Sequence, residues 1–146
     1  MGNRGFTFVE ILIVIAIIAI MMTIAIPSFS GIQQEAKQTK AQKDLTLLKI
    51  AIESYYRTHN EYPPEANYQS YLISASPRMI EDNMLDPFGA TYSTQYQYYL
   101  STKDVATAKY YVIYSIGVNT TGVAAVDNLG HVTINKGPIY VSNGWL

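Results

Sequence analysis

The feature that most restricts this chain is an apolar run from Phe6 to Ile26, closed by Pro27, with a single acid, Glu10, inside it. As a helix, about 21 residues at about 1.5 Å each cover roughly 30 Å, the hydrocarbon thickness of a bilayer. Such a run has to be surrounded by something apolar, so it reads as a membrane span. Glu10 is then the anomaly, because a carboxylate in lipid costs of order 3 kcal/mol near the centre and less toward an end. Ahead of the run stands Met1-Gly2-Asn3-Arg4-Gly5. A secretory signal places its small-residue cleavage site after the apolar core, whereas here Gly5 precedes the core beside Arg4. A cut at Gly5 leaves the apolar run on the mature chain.

Composition removes several classes of function. A formal net charge of -1, with no long run of one sign, lacks the basic footprint of a nucleic-acid binder, and no nucleic-acid partner is expected. With no cysteine there is no disulfide, thiol nucleophile or Cys-based zinc site. His59 and His131 do not form a metal-ligand pair at helical spacing. Gly117 and Gly122 sit in a strand-to-strand turn with no helix after them, so they cannot cradle a phosphate. Glu81, Asp82 and Asp86 read as a solvated acidic loop. No enzyme is expected. Thirteen tyrosines against four phenylalanines suit a strand-rich domain, or surfaces where a ring is covered and its hydroxyl is wet.

Beyond Pro27, which withholds a helix donor and crowds the preceding turn, a kink or local melting is expected around 22–28, softened further by Gly31. Ala41, Leu45, Leu48, Ile52 and Tyr55 then follow a spacing of three and four, the mark of an amphipathic helix whose stripe needs cover. One helix from about Phe6 to about Thr58 would be roughly 80 Å long. The alternative is two helices hinged at Pro27 to Gly31. The helix stops near His59-Asn60, ahead of Pro63-Pro64. From Tyr68 to Met84 the chain reads as a short helix or turn, then a loop. Leu85-Asp86-Pro87-Phe88-Gly89 is a turn in which Asp86 bonds the backbone two residues on. Strands are expected at 96–100, 109–116 and 123–127, with a fourth at 131–135, as an antiparallel meander laid on the stripe. The tail from Lys136 lacks strong periodicity, and Trp145 is expected to pack back on the domain.

A short leader with Arg4 and Gly5, then Phe6-Thr7-Phe8-Val9-Glu10 and an apolar run ending at Pro27, resembles the N-terminal signal of type IV pilins and type II secretion pseudopilins. Tyr62-Pro63-Pro64 after the helix and the Asp86-Pro87-Phe88-Gly89 turn bring the likeness closest to the major pseudopilin of type II secretion systems. The resemblance implies an α+β, pilin-like fold: a long N-terminal helix, membrane-spanning in its first half, packed at its C-terminal half on a small antiparallel sheet of three to four strands. It implies a leader at 1–5 cleaved by prepilin peptidase, a transmembrane and filament-core helix at 6–27, an amphipathic continuation at 28–60, and a globular region at 61–146. Gly5 and Phe6 are then the processing residues, with Phe6 methylated, and Phe6, Glu10 and Pro27 the assembly residues.

The function so implied is that of a structural subunit of a type II secretion pseudopilus, polymerising from the inner membrane into a filament that drives protein secretion. The alternative is a type IV pilus subunit for adhesion, twitching motility or DNA uptake. A reading of a different class is a membrane-anchored binding or enzymatic domain, with Glu10 snorkelling to the headgroups. Implied partners are further copies in a helical filament, prepilin peptidase, an assembly platform, minor pseudopilins, and lipid before assembly. The implied location is the inner membrane, single-pass with the N-terminus cytoplasmic, the filament lying in the periplasm, or at the cell surface for a true pilus. Calcium is the one cofactor the resemblance raises, near Ser115–Gly122. Asn119 stands where an acid is expected there, which leaves Asp127 as the candidate carboxylate, with Asp104 the other acid nearby.

Overall fold

The structure is a computed structural model that describes residues 5–91, 93–118 and 120–146, and only the backbone path of 24–28. Helix α1 runs from Phe8 to His59 as one element of 52 residues. It passes through 24–28 without a break, so the melting expected there does not interrupt it, while the side chain of Pro27 lies outside the described residues. At its far end Asn60 takes the left-handed conformation (φ 58°) and its amide donates to the Tyr56 carbonyl at 2.8 Å. Asparagine tolerates that conformation, and Pro63-Pro64 beyond it cannot continue the helix.

The chain forms two compact units, Met1–Ala36 and Lys37–Leu146. In the first, the described helical side chains from Phe8 to Met22 are exposed on every side of the helix. Among the described residues no helix is long and apolar enough to cross a membrane. The side chains of 24–28, the last part of the apolar run, are not among them.

In the second unit the predicted stripe is the core. Ala41, Leu45, Leu48 and Ile52 are fully buried and Tyr55 is nearly so. Their cover is a sheet of β1 (Gln97–Leu100), β2 (Tyr111–Ser115) and β5 (Ile139–Ser142), with β2 in the middle. Both pairings are antiparallel, with Tyr98 opposite Ile113 and Ile113 opposite Val141. Because side chains alternate along a strand, Tyr98, Leu100, Tyr111 and Ile113 join the helix stripe, while Val112 and Tyr114 point the other way. That second face is covered by a separate hairpin of β3 (Val123–Val126) and β4 (Val132–Asn135), through Ala124, Val126 and Val132. All five residues of β2 are buried, which is why it reads as a continuous run and not as an alternation.

Among the described residues the strands are therefore five in two sheets, where three to four in one meander are expected. The difference is β5, in the tail that shows no periodicity. Its four residues are each only half-buried, at the edge of the sheet, so no two-residue alternation is required of them. Helix α2 (Tyr68–Ser74) is the short helix expected, and the fully buried Gln69 fastens the following loop. Its Nε2 donates to the Met84 carbonyl at 2.9 Å, and its Oε1 accepts from the Met84 amide at 2.6 Å.

Tyrosine hydroxyls tie the sheet to the helix. Tyr96 donates to Asp44 at 2.9 Å and Tyr111 to Glu53 at 3.2 Å, while Lys49 donates to the Ser142 carbonyl at 3.1 Å. Leu48, fully buried in this core, has no contact with solvent to fall back on when it is truncated. Leu48→Ala is expected to lower stability by about 2–5 kcal/mol, the usual cost of a leucine-sized cavity. Denaturant titration reads this directly, and a loss below about 1 kcal/mol would contradict the packing described.

Candidate processing and assembly site

The N-terminal segment is built by helix-end chemistry. The first amides of an α-helix have no partner within it. Here Thr7, just ahead of Phe8, and Glu10, three residues on, satisfy them reciprocally. One Glu10 oxygen, Oε2, accepts from the Thr7 amide and from the Thr7 hydroxyl, both at 2.8 Å, and the Thr7 hydroxyl oxygen accepts from the Glu10 amide at 3.3 Å. This is a capping box, Thr-x-x-Glu, and its carboxylate also lies at the positive end of the helix dipole. The spacing is visible in the sequence as Thr7-Phe8-Val9-Glu10, but the apolar setting draws attention to the cost of the acid and away from its local donors. The carboxylate is held by Thr7.

Gly5 and Phe6 precede the cap. A side chain added at Gly5 would meet nothing within 4 Å, and the residue does not sit in the left-handed region. Among the described residues, packing does not ask for glycine at that position. Phe6 is 85% exposed, an unusual state for a phenylalanine with no cover of its own. From Phe8 to Met22 the apolar side chains are likewise uncovered. A helix apolar on all sides is made to be surrounded, by lipid or by other helices.

The other residues singled out in the sequence fall elsewhere. His59 lies flat on Tyr55, centroids 4.0 Å apart, with Nδ1 at 3.1 Å from the Tyr55 carbonyl. Asp127 closes the β3–β4 hairpin, its Oδ1 accepting from the Leu129 and His131 amides, each at 2.9 Å. Those amides, His131 foremost, hold its carboxyl below the usual carboxylate range. Trp145 packs edge-on against Tyr110 at 5.4 Å and its backbone pairs with Gly130 and Val132, as expected of a residue folded back on the domain. Asn119 lies outside the described residues. Asp86 corrects the reading of a solvated acidic loop. It is 5% exposed and bonds across the domain to Ser115, because the turn it begins folds under the end of β2.

Residues 1–26 match the family model of the prokaryotic N-terminal methylation motif. Over 101 residues, 62% of this chain and 71% of the relative, the sequence is 36% identical to the type II secretion system core protein G of Aeromonas hydrophila. The chain belongs to the type II secretion core protein G family. The core protein G of Escherichia coli (strain K12) is 29% identical over 93 residues, 64% of this chain and 59% of that protein. A type IV major pilin protein, PilA of Myxococcus xanthus (strain DK1622), is 43% identical over 84 residues, 51% of this chain and 38% of the pilin. The matched part of the chain thus spans less than two thirds of the length of these last two relatives. No solved structure matches. For a core protein G family member the N-terminal segment is the site of interest: a methylation motif whose acid is held in a helix cap.

Proposed function

We propose that the chain is the structural subunit of a type II secretion pseudopilus, stored in the inner membrane with its N-terminus cytoplasmic and polymerised into a periplasmic filament. The observation that carries this is the uncovered apolar helix opened by the Thr7–Glu10 cap directly behind Gly5. The reader of this segment is prepilin peptidase, which cuts between Gly5 and Phe6 and methylates the new Phe6 amine, in keeping with the methylation motif matched over residues 1–26. In lipid the cap lowers the cost of carrying Glu10, since its carboxylate is hydrogen-bonded and set against the helix dipole. In the filament the Phe6 amine of a neighbouring copy offers the same carboxylate a full positive charge. Removing one member of such a pair leaves the other buried and alone, so the pairing sets register as well as adhesion. The role is structural and not enzymatic, and the assembly platform and minor pseudopilins are its further partners.

A second reading, a type IV pilus subunit, is favoured by the 43% identity to PilA over half of the chain. Intact-mass and N-terminal peptide analysis of the mature protein is expected to give an N-terminus at methylated Phe6. An N-terminus still at Met1 would sink both readings. Deleting the gene separates them: loss of exoprotein release with surface pili intact is the result expected of a pseudopilin, and the reverse that of a pilin.

A further inference from the structure

The sheet that covers the α1 stripe has two outer strands, β1 on one side and β5 on the other. An outer strand presents amides and carbonyls onto which a strand of another chain can add. Backbone groups point to alternate sides along a strand, so the pairing shows which ones are at risk. Just past β1 the Ser101 amide donates to the Tyr110 carbonyl at 2.8 Å, and Tyr99 and Gln97 lie opposite Val112 and Tyr114. Those residues face β2. The amides and carbonyls of Tyr96, Tyr98 and Leu100 therefore turn outward. On β2 the same alternation sets Ile113 and Ser115 toward Val141 and Ile139, which leaves Tyr140 and Ser142 of β5 turned outward on the far side.

Both outward rows are interrupted by side chains from other parts of the domain. On β1, Glu65 Oε1 accepts from the Leu100 amide at 2.8 Å, and the Tyr68 hydroxyl donates to the Tyr96 carbonyl at 3.1 Å. Between these two held positions lies a cleft of about 330 Å³, with Glu65, Ala66 and Tyr68 on one wall and residues 95–99 on the other. The outward backbone groups of Tyr98 front on it. An added strand has to run about 4.7–4.9 Å from β1, through the places that Glu65 and Tyr68 occupy. On β5, Lys49 Nζ donates to the Ser142 carbonyl at 3.1 Å. An acid thus takes a donor on one edge, and a base takes an acceptor on the other.

We propose that Glu65 and Lys49 close the two edges of this sheet against a strand from a second copy of the chain, so that crowded subunits associate through their helices and not through this sheet. A strand arriving at β1 offers the Leu100 amide a neutral carbonyl in exchange for a carboxylate. Charge-assisted bonds are about twice as strong as neutral ones, so the exchange is unfavourable, and strands of four residues offer few other bonds to offset it. The reading of the chain as a filament subunit explains why copies are crowded. The closure is a property of the domain and does not depend on which filament it enters.

Hydrogen exchange of the full chain in detergent, read amide by amide at low and high protein concentration, tests the closure without any filament. In the wild type the Leu100 amide is expected to be protected and the Tyr98 amide to exchange freely at both concentrations. In Glu65→Ala, Leu100 is expected to exchange about tenfold faster at low concentration. At high concentration Tyr98 and Leu100 are expected to become protected together as larger species sediment, with Ile113 in the middle strand protected throughout. Glu65→Gln, which keeps an acceptor, is expected to match the wild type at Leu100. Three results overturn the proposal: Leu100 exchanging as slowly in Glu65→Ala as in the wild type, Tyr98 still exchanging freely in that variant at high concentration, or association accompanied by loss of protection at Ile113, which is unfolding and not strand addition. Should Glu65→Ala not fold, Lys49→Met keeps the apolar stem and opens the β5 edge alone. The Tyr140 amide is then expected to gain protection with concentration, and free exchange there at high concentration overturns the proposal equally.

Discussion

Glu10→Leu is expected to leave the subunit in the membrane and folded from Lys37 onward, and to stop it polymerising. The hydrogen bonds described for the Glu10 carboxylate run to Thr7 and nowhere else, so its loss removes a cap from one helix end. In water that is worth about 0.5–2 kcal/mol. Two stronger effects bear on assembly, and they act in the same direction. Leucine is free of the cost of a carboxylate in lipid, about 3 kcal/mol at most, so the stored state becomes more favourable. On the proposed pairing, the filament loses the partner of a buried amine, which costs about 3–5 kcal/mol when the other charge is stranded. Even a change of about 3 kcal/mol moves the balance between stored and assembled subunits more than about 100-fold, which sedimentation of sheared filaments against membrane-bound subunit detects. Glu10→Gln divides the two roles, because glutamine can close a capping box but cannot pair with an amine. A glutamine variant that polymerises like the wild type would show that the cap is sufficient and that charge pairing does not set register.

The second large effect is expected in alkali. Burial pushes the Tyr62 and Tyr114 hydroxyls up to about 12, and it pushes those of Tyr68, Tyr96, Tyr98 and Tyr111 further in the same direction, with Asp44 adding to the effect at Tyr96 and Glu53 at Tyr111. A phenol ionises near pH 10 once unfolded. Its folded value is higher, so the stability it contributes is fully present below about pH 10. That contribution is lost as pH climbs through about 12 and beyond. Each phenol held neutral in the fold and ionised in the open chain steepens the loss by about 1.4 kcal/mol per pH unit. Several acting together exhaust a domain of ordinary stability, about 5–15 kcal/mol, within roughly two units. Tyrosinate absorbance and circular dichroism are therefore expected to change together between about pH 10 and 12. Ionisation of all thirteen tyrosines near pH 10 with the sheet intact would contradict the burial described. Tyr98 contributes over the widest range of pH: it is 5% exposed, and its hydroxyl is the one buried side-chain polar atom without a hydrogen-bond partner among the described residues.

What can be read from the sequence is whatever is written in neighbouring residues. The stripe from Ala41 to Tyr55 follows from the helical period, and all five of its members are buried. The bond from Asp86 to the amide of Phe88 follows from turn chemistry at a spacing of two. The bond to Ser115 does not, because that partner is fixed only when β2 comes to rest above the turn. Without a local sign of it, the acid reads as solvated. Strand β5 escapes for a related reason, since an edge strand half-buried on both faces carries no alternation to detect. The Thr7–Glu10 cap is the opposite case: it has a clear local signature, eclipsed by the stronger demand that an acid in an apolar run be explained.

The place of β2, between β1 and β5 in its own sheet and between the helix and the β3–β4 hairpin in depth, has a consequence for the order of events in the cell. A polypeptide crosses a membrane as a thread, its residues arriving in sequence. The stripe on α1 is delivered first, but part of its cover, Ile139 and Val141, comes from the last strand. Lys49 waits for Ser142, and Tyr111 and Tyr62 wait for Asn143, which binds the amide of one at 2.8 Å and the hydroxyl of the other at 3.0 Å. Until those residues have arrived, the apolar face of the helix has no complete lid and the domain cannot close. On the proposed periplasmic placement the subunit is thus a late folder, and the interval between arrival of the helix and arrival of β5 is when a chaperone or a protease there has its opportunity.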